Sequence, residues 1–200
     1  RLIRRQRQMC IRDRGVAYMA FGYAQSTGKP GVYAVVPGPG ILNTTAALST
    51  AYACNSRVLA ITGQIPSSYI GRELGMLHEI PNQLSILEGL TKFAKRINYP
   101  SDAPAIVSEA FKNMRSGRPR PTAIEMPMDI MQHKSEVTLR KFTDGYSPPA
   151  VDPDLIKEAA LILGAAKNPV IFVGTGAYEA SKEVTIPVSY THLTLPTNKA

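Results

Sequence analysis

Two short apolar runs in this chain, Val32–Val36 and Val58–Thr62, end in glycine turns, Gly38-Pro39-Gly40 and Gly63-Gln64. A glycine at such a point lets main chain approach a ligand where a side chain would collide. Open parallel sheets bind ligands at the carboxyl ends of their strands, so function is to be sought at these two turns. Gly174-Thr175-Gly176 follows a third apolar run, but the third glycine and the acid of a dinucleotide fingerprint are missing. A Rossmann-like nucleotide binder is therefore only a generic alternative. The basic run Arg115–Arg120 reads as a solvated loop complementing a helix C-terminus, with a phosphate-binding role, for example toward an acyl-coenzyme A, as the other reading.

The elements that must position these turns alternate. Gly15–Ser26 has helical spacing, with Val16, Met19, Ala20 and Tyr23 on one stripe, and Gly28-Lys29-Pro30-Gly31 ends it. Ile41–Ala53 is a second helix and Ile80–Leu87 a short one. Ala103–Met114 is a further helix, capped by Ser101-Asp102. Phe93–Ile97 and Thr122–Met126 are the remaining strands of this part. Strands alternating with helices in this way predict a parallel open sheet with helices on both faces. From Pro127 to Pro153 the chain turns polar and irregular, with residues 131–152 as a linker. Asp152-Pro153-Asp154 then caps a helix through Ala166, and Val170–Val173 is expected to open a strand. Residues 153–186 thus read as the start of a second, truncated α/β domain.

The 200 residues carry a formal charge of +8, which resembles a nucleic-acid signal until it is located. Residues 1–14 hold six of the 23 basic residues, and the stretch 15–186 holds 16 basic and 14 acidic ones. A nearly neutral body excludes a basic nucleic-acid face. Both ends, 1–14 and 187–200, resemble translated sequencing-adapter sequence and are expected to be artefactual additions to an internal fragment. With Cys10 in the first of them, Cys54 stands alone, which excludes a disulfide framework or a cysteine metal site and reads as a small buried hydrophobe. That usage suits a reducing, cytoplasmic setting. No apolar stretch approaches the roughly twenty residues needed to cross a membrane.

Taken together and in order, Gly15–Gly28, the GPG at 38–40 with Asn43, AITGQIPSSYIG at 60–71 and EMPMDI at 125–130 resemble the N-terminal pyrimidine-binding domain of thiamine-diphosphate-dependent enzymes of the acetolactate synthase group. PDLIKEAALILGAAKNPVIFVGTGA then resembles the start of that family's central domain, giving a resemblance over about residues 15–184, with the first domain at 15–130. It implies thiamine diphosphate as cofactor and a 2-oxo acid carboligase or decarboxylase as the full-length parent, an obligate homodimer or a tetramer acting on 2-oxo acids such as pyruvate. It also implies Mg2+ bound by a C-terminal diphosphate domain, which would leave this chain inactive alone, with half of a cofactor site and no metal ligands of its own. Thr143-Asp144-Gly145 echoes the magnesium motif faintly but lacks its first glycine.

The same resemblance assigns residues. Gly38, Pro39 and Gly40 would form the turn beside the cofactor, Asn43 would face the same crevice, and Gln64 would offer its amide to substrate or cofactor. The family's catalytic glutamate falls at Asp13, one methylene short of it and inside the suspect end. His78, beside Glu79, lies near where decarboxylase members carry active-site histidines; a surface histidine is the plain alternative. His133 reads as solvent-facing. Where flavin-dependent members carry a phenylalanine-glutamine-glutamate triplet this chain has Gly75, Met76 and Leu77, and Glu88 stands where they place an arginine, so FAD is not expected. An oxalyl-CoA or sulfoacetaldehyde-type relative without flavin, and a non-catalytic subunit of the same fold, are the alternatives.

Overall fold

The structure is a computed structural model and describes residues 12–139, 150–170 and 172–192. The chain divides into two compact units, residues 1–148 and 149–200. Cys10 and the Thr143-Asp144-Gly145 triplet lie outside the described residues.

In the first unit, helix α1 (Asp13–Thr27) leads to strand β1 (Gly31–Val35), then α2 (Pro39–Ala53) and β2 (Val58–Gln64). Helix α3 (Gln83–Leu90), β3 (Phe93–Arg96), α4 (Ala103–Arg115), β4 (Thr122–Pro127) and the short α5 (Met128–Gln132) follow. The four strands form one sheet in the order β1-β2-β4-β3, every pair parallel. All four carboxyl ends therefore share one edge, as the alternation predicts.

Side chains alternate across this sheet. Val58, Ala60 and Ala123 meet α1, α2 and Leu87 of α3, while Leu59 and Ile124 meet Ile106, Ala110 and Met114 of α4. The helices thus cover both faces, although Val32, Ala34 and Ile61, on the α4 side of β1 and β2, are exposed.

Local chemistry explains the boundaries. Helix α1 stops at Gly28, left-handed at φ +67°, whose N–H donates to the carbonyl of Ala24. Pro39 opens α2 at a position where its missing N–H costs nothing. The buried stripe of α1 is Asp13, Ala17, Ala20 and Ala24, whereas Met19 and Tyr23 are exposed, which shifts the expected stripe by about one position. Small residues win that face because β1 comes very close: a Cβ at Gly31 would collide with the Ala20 carbonyl.

Three other expectations change. Asp102 is itself helical and makes no side-chain cap; a 3₁₀ turn, Pro100–Asp102, feeds α4 instead. Helix α5 interrupts the stretch expected to be irregular. Cys54 is exposed, because it follows α2 at its open C-terminal end.

The second unit contains α6 (Pro153–Ala165), a 3₁₀ segment Thr175–Ala180 and α7 (Ser181–His192). The Asp152 side chain accepts from the Asp154 N–H, the cap read from sequence. No strand forms among the described residues of 170–173; a strand needs a neighbour for its backbone groups, and no other strand lies in this unit's described residues. Helix α7 continues through Pro187 to His192, into the stretch 187–200 that was expected to be an artefactual end.

Candidate functional site

The carboxyl edge of the sheet is organised by one side chain, Gln83, the first residue of α3. Its Oε1 accepts the Gly38 N–H at 2.8 Å, and its Nε2 donates to the Gly63 carbonyl at 2.9 Å and to Glu125 Oε2 at 2.8 Å. One buried amide therefore joins the turn after β1, the turn after β2 and the end of β4. The two glycine turns open onto the same edge.

Glu125 is completely buried. It stands in register with Thr62 on β2 and Arg96 on β3, and Arg96 Nε donates to its Oε1 at 2.5 Å. Gln64 Nε2 reaches Oε2 at 3.5 Å, while Gln64 Oε1 accepts the Ile65 N–H at 2.8 Å. A buried carboxylate is tolerable only with such a set of donors.

Above these groups, under the loop from Ile65 to Asn82, lies a cleft of about 600 Å3. Ile65, Ile70, Ile80 and Pro81 give it apolar walls, and Gln64, Gln83 and Arg96 line it. This volume and mixture suit a small organic ligand. The Gln64 amide, bound only weakly through its N–H2, keeps donor capacity for such a ligand.

The expected residues are distributed around this edge. Gln64 lines the cleft. Gly38 is buried with φ +62°, and the space its side chain would take is filled by the His78 carbonyl, so this turn is closed by the chain's own backbone. Gly40 is buried, while Pro39 and Asn43 are exposed on the first turns of α2. Asp13 is the first residue of α1 and buried, and it does not line the cleft. His78 is half-buried with φ +70° and lies outside the cleft wall; its neighbour Glu79 lines the cleft and accepts the Met76 N–H at 2.8 Å. Glu88 is exposed on α3, and His133 is exposed.

Beside the cleft, Asp129 fastens the loop's entrance, accepting from Ser67 N–H at 2.9 Å and Ser67 Oγ at 2.5 Å. Those bonds from Ser67 hold the Asp129 carboxyl below the usual carboxylate range. At the opposite edge Arg120 stacks on Tyr52, 3.9 Å from the ring centre. There Lys92 Nζ donates to the carbonyls of Ser116 and Arg118, and burial with the nearby Arg120 charge lowers its pKa. Arg120 and the backbone of the basic run thus make local contacts, and residues 115–120 do not line the cleft.

Gln83, Arg96 and Glu125 do not stand out in the sequence. The one available signal is Glu125, a lone charge inside the otherwise apolar strand Thr122–Pro127.

The family model described as thiamine pyrophosphate enzyme, N-terminal TPP binding domain, matches residues 6–86. Acetolactate synthase of Arthrospira platensis is 35% identical over 195 residues, covering 90% of this chain and 33% of the relative. The probable 2-ketoarginine decarboxylase AruI of Pseudomonas aeruginosa is 32% identical over 174 residues, covering 85% of this chain and 31% of the relative. Among solved structures, the thiamine diphosphate-dependent 4-hydroxybenzoylformate decarboxylase of Rhodococcus jostii RHA1 shares the fold, with a TM-score of 0.69 at 21% identity over 80% of this chain and 30% of that one. Residues 6–86 thus carry the N-terminal TPP-binding domain of the thiamine-diphosphate-dependent enzymes. It spans about a third of the length of the curated relatives it matches. Among the described residues no helix is long and apolar enough to cross a membrane.

Proposed function

We propose that the cleft at the carboxyl edge receives the aminopyrimidine side of thiamine diphosphate, and that the whole protein is a 2-oxo acid carboligase or decarboxylase resembling acetolactate synthase. The observation that carries this reading is the Gln83 amide, which ties Gly38 and Gly63 together beside a single hollow. When bound, the coenzyme supplies the nucleophilic carbon and the electron sink for decarboxylation. The residues of this chain bind and orient: Ile65, Ile70 and Ile80 exclude water from one side, and Gln64 offers its amide N–H.

The Mg2+ and diphosphate groups are assigned to a part of the protein outside this chain, in a homodimer or tetramer working in the cytoplasm on soluble substrates, with neither nucleic acid nor membrane as partner. The 200 residues alone are then catalytically silent. Glu88 and the Gly75-Met76-Leu77 segment favour a reading without FAD, since an acid on exposed α3 repels a flavin's phosphates.

The test is titration of the isotope-labelled chain with thiamine diphosphate, followed by amide resonances. Saturable shifts at Gly38, Gly63, Ile65 and Gln83 are expected. A folded chain whose edge amides stay unmoved at millimolar coenzyme would remove the reading.

A further inference from the structure

We propose that Arg96 is the anchor for the carboxylate of a short aliphatic 2-oxo acid, and that Glu125 and Gln83 are its positioning residues. This deepens, and rests on, the assignment of the cleft to a 2-oxo acid enzyme.

Arg96 ends β3 opposite Glu125 and spends only its Nε on that carboxylate, at 2.5 Å. A guanidinium carries five N–H donors in a rigid plane. Bonding through Nε fixes the plane and leaves both terminal nitrogens without a partner among the described residues. The side chain is 23% exposed and Arg96 forms part of the cleft wall, where its unused donors are available to a ligand. Such a fork matches a carboxylate through two parallel bonds.

Stability does not account for the pair. Burying a carboxylate against an arginine is often no better than apolar packing, yet Glu125 is fully buried and held by two further amides, from Gln83 at 2.8 Å and Gln64 at 3.5 Å. That arrangement determines where a guanidinium points.

The cleft also selects among anions. Glu73 and Glu79 line it, and Glu79 is already engaged by the Met76 N–H. Two acids beside one arginine oppose a doubly charged phosphate more than a singly charged carboxylate. Ile65, Ile70 and Ile80 leave an apolar place for a short alkyl tail.

The experiment follows the Arg96 Nε–Hε resonance of the labelled 200-residue chain during separate titrations with pyruvate, inorganic phosphate at matched ionic strength, and thiamine diphosphate. Pyruvate is expected to move it saturably and phosphate to leave it in place. Arg96→Lys, which keeps the charge and loses the fork, is expected to weaken pyruvate binding about tenfold or more, followed through the Gln64 side-chain amide. The double variant Arg96→Gln with Glu125→Gln removes both buried charges together, so it keeps the packing; it is expected to lose the pyruvate response while thiamine diphosphate still shifts Gly38 and Gly63. An Arg96 signal indifferent to pyruvate, an equal response to phosphate, or a lysine variant of unchanged affinity would each overturn the anchor. Coenzyme shifts that persist in that case leave the coenzyme reading standing, whereas a pyruvate response without coenzyme shifts supports the anchor and removes the coenzyme reading.

Discussion

Gln83 and Glu125 meet at 2.8 Å, the amide N–H2 of the first donating to Oε2 of the second. The contact joins the first turn of α3 to β4, residues 42 positions apart, and both side chains are buried. Because the same amide also serves Gly38 and Gly63, the edge of three strands depends on one residue with no charge.

Gln83→Ala should therefore cost far more than a typical surface change. It strands the Gly38 N–H and the Gly63 carbonyl and removes a donor from a buried carboxylate, each worth about 1–3 kcal/mol. A loss of about 3 kcal/mol or more in urea unfolding is expected; a loss under about 1 kcal/mol would mean that the network is relaxed in solution.

Gly38→Ala is expected to destabilise by about 2 kcal/mol or more, since its φ of +62° comes with a collision against the His78 carbonyl. Gly28→Ala is the control. Its φ is similar, +67°, but nothing lies near the added carbon, so about 1 kcal/mol is expected. Equal losses in the two variants would show that the 76–80 loop does not press on this turn.

Acid should loosen the loop entrance. The folded pKa of Asp129 is depressed by its bonds from Ser67, so its stabilising contribution is present above the unfolded value of about 3.9 and fades as pH falls through the lower folded value. Asp129→Asn is expected to flatten the stability–pH curve below about pH 4 relative to the parent. Parallel curves would contradict the assignment.

Alkali acts on the other side of the core. Tyr33 donates to Thr44 Oγ1 at 3.0 Å, and burial raises its pKa above the usual tyrosine value, outweighing the opposite effect of Thr44. The neutral phenol is the folded form, so its contribution is complete below about pH 10 and is lost as pH rises toward the folded value. Tyr33→Phe should lessen the fall in urea midpoint between about pH 9 and pH 11; an unchanged fall would assign it to other groups.

The parallel sheet was legible because its signals are local. Val32–Val36 and Val58–Thr62 are β-branched runs closed by glycine, and Pro39 and Gly28 punctuate helices by their own backbone chemistry. The site was legible only where such turns mark it, at Gly38 and Gln64. Arg96 and Glu125 become partners through strand register alone, 29 positions apart in the chain, and no local pattern announces that. The α1 stripe was misphased because alanines, not the larger Met19 and Tyr23, face a strand that approaches within backbone contact. Val170–Val173 had the composition of a strand, but among the described residues of its unit no strand is present to pair with it.

Helix α6 buries none of its residues, and Leu155, Ile156, Leu161, Ile162 and Leu163 all lie open to water. Such a helix is held by little besides its own cap and backbone, which at 13 residues is marginal in water. To an endopeptidase the chain is accordingly two targets of unequal resistance: cleavage within α6 needs only a local opening, whereas the sheet must unfold as a whole before it is cut. Brief digestion ought to trim residues past 149 and leave the coenzyme-binding half intact for crystallisation.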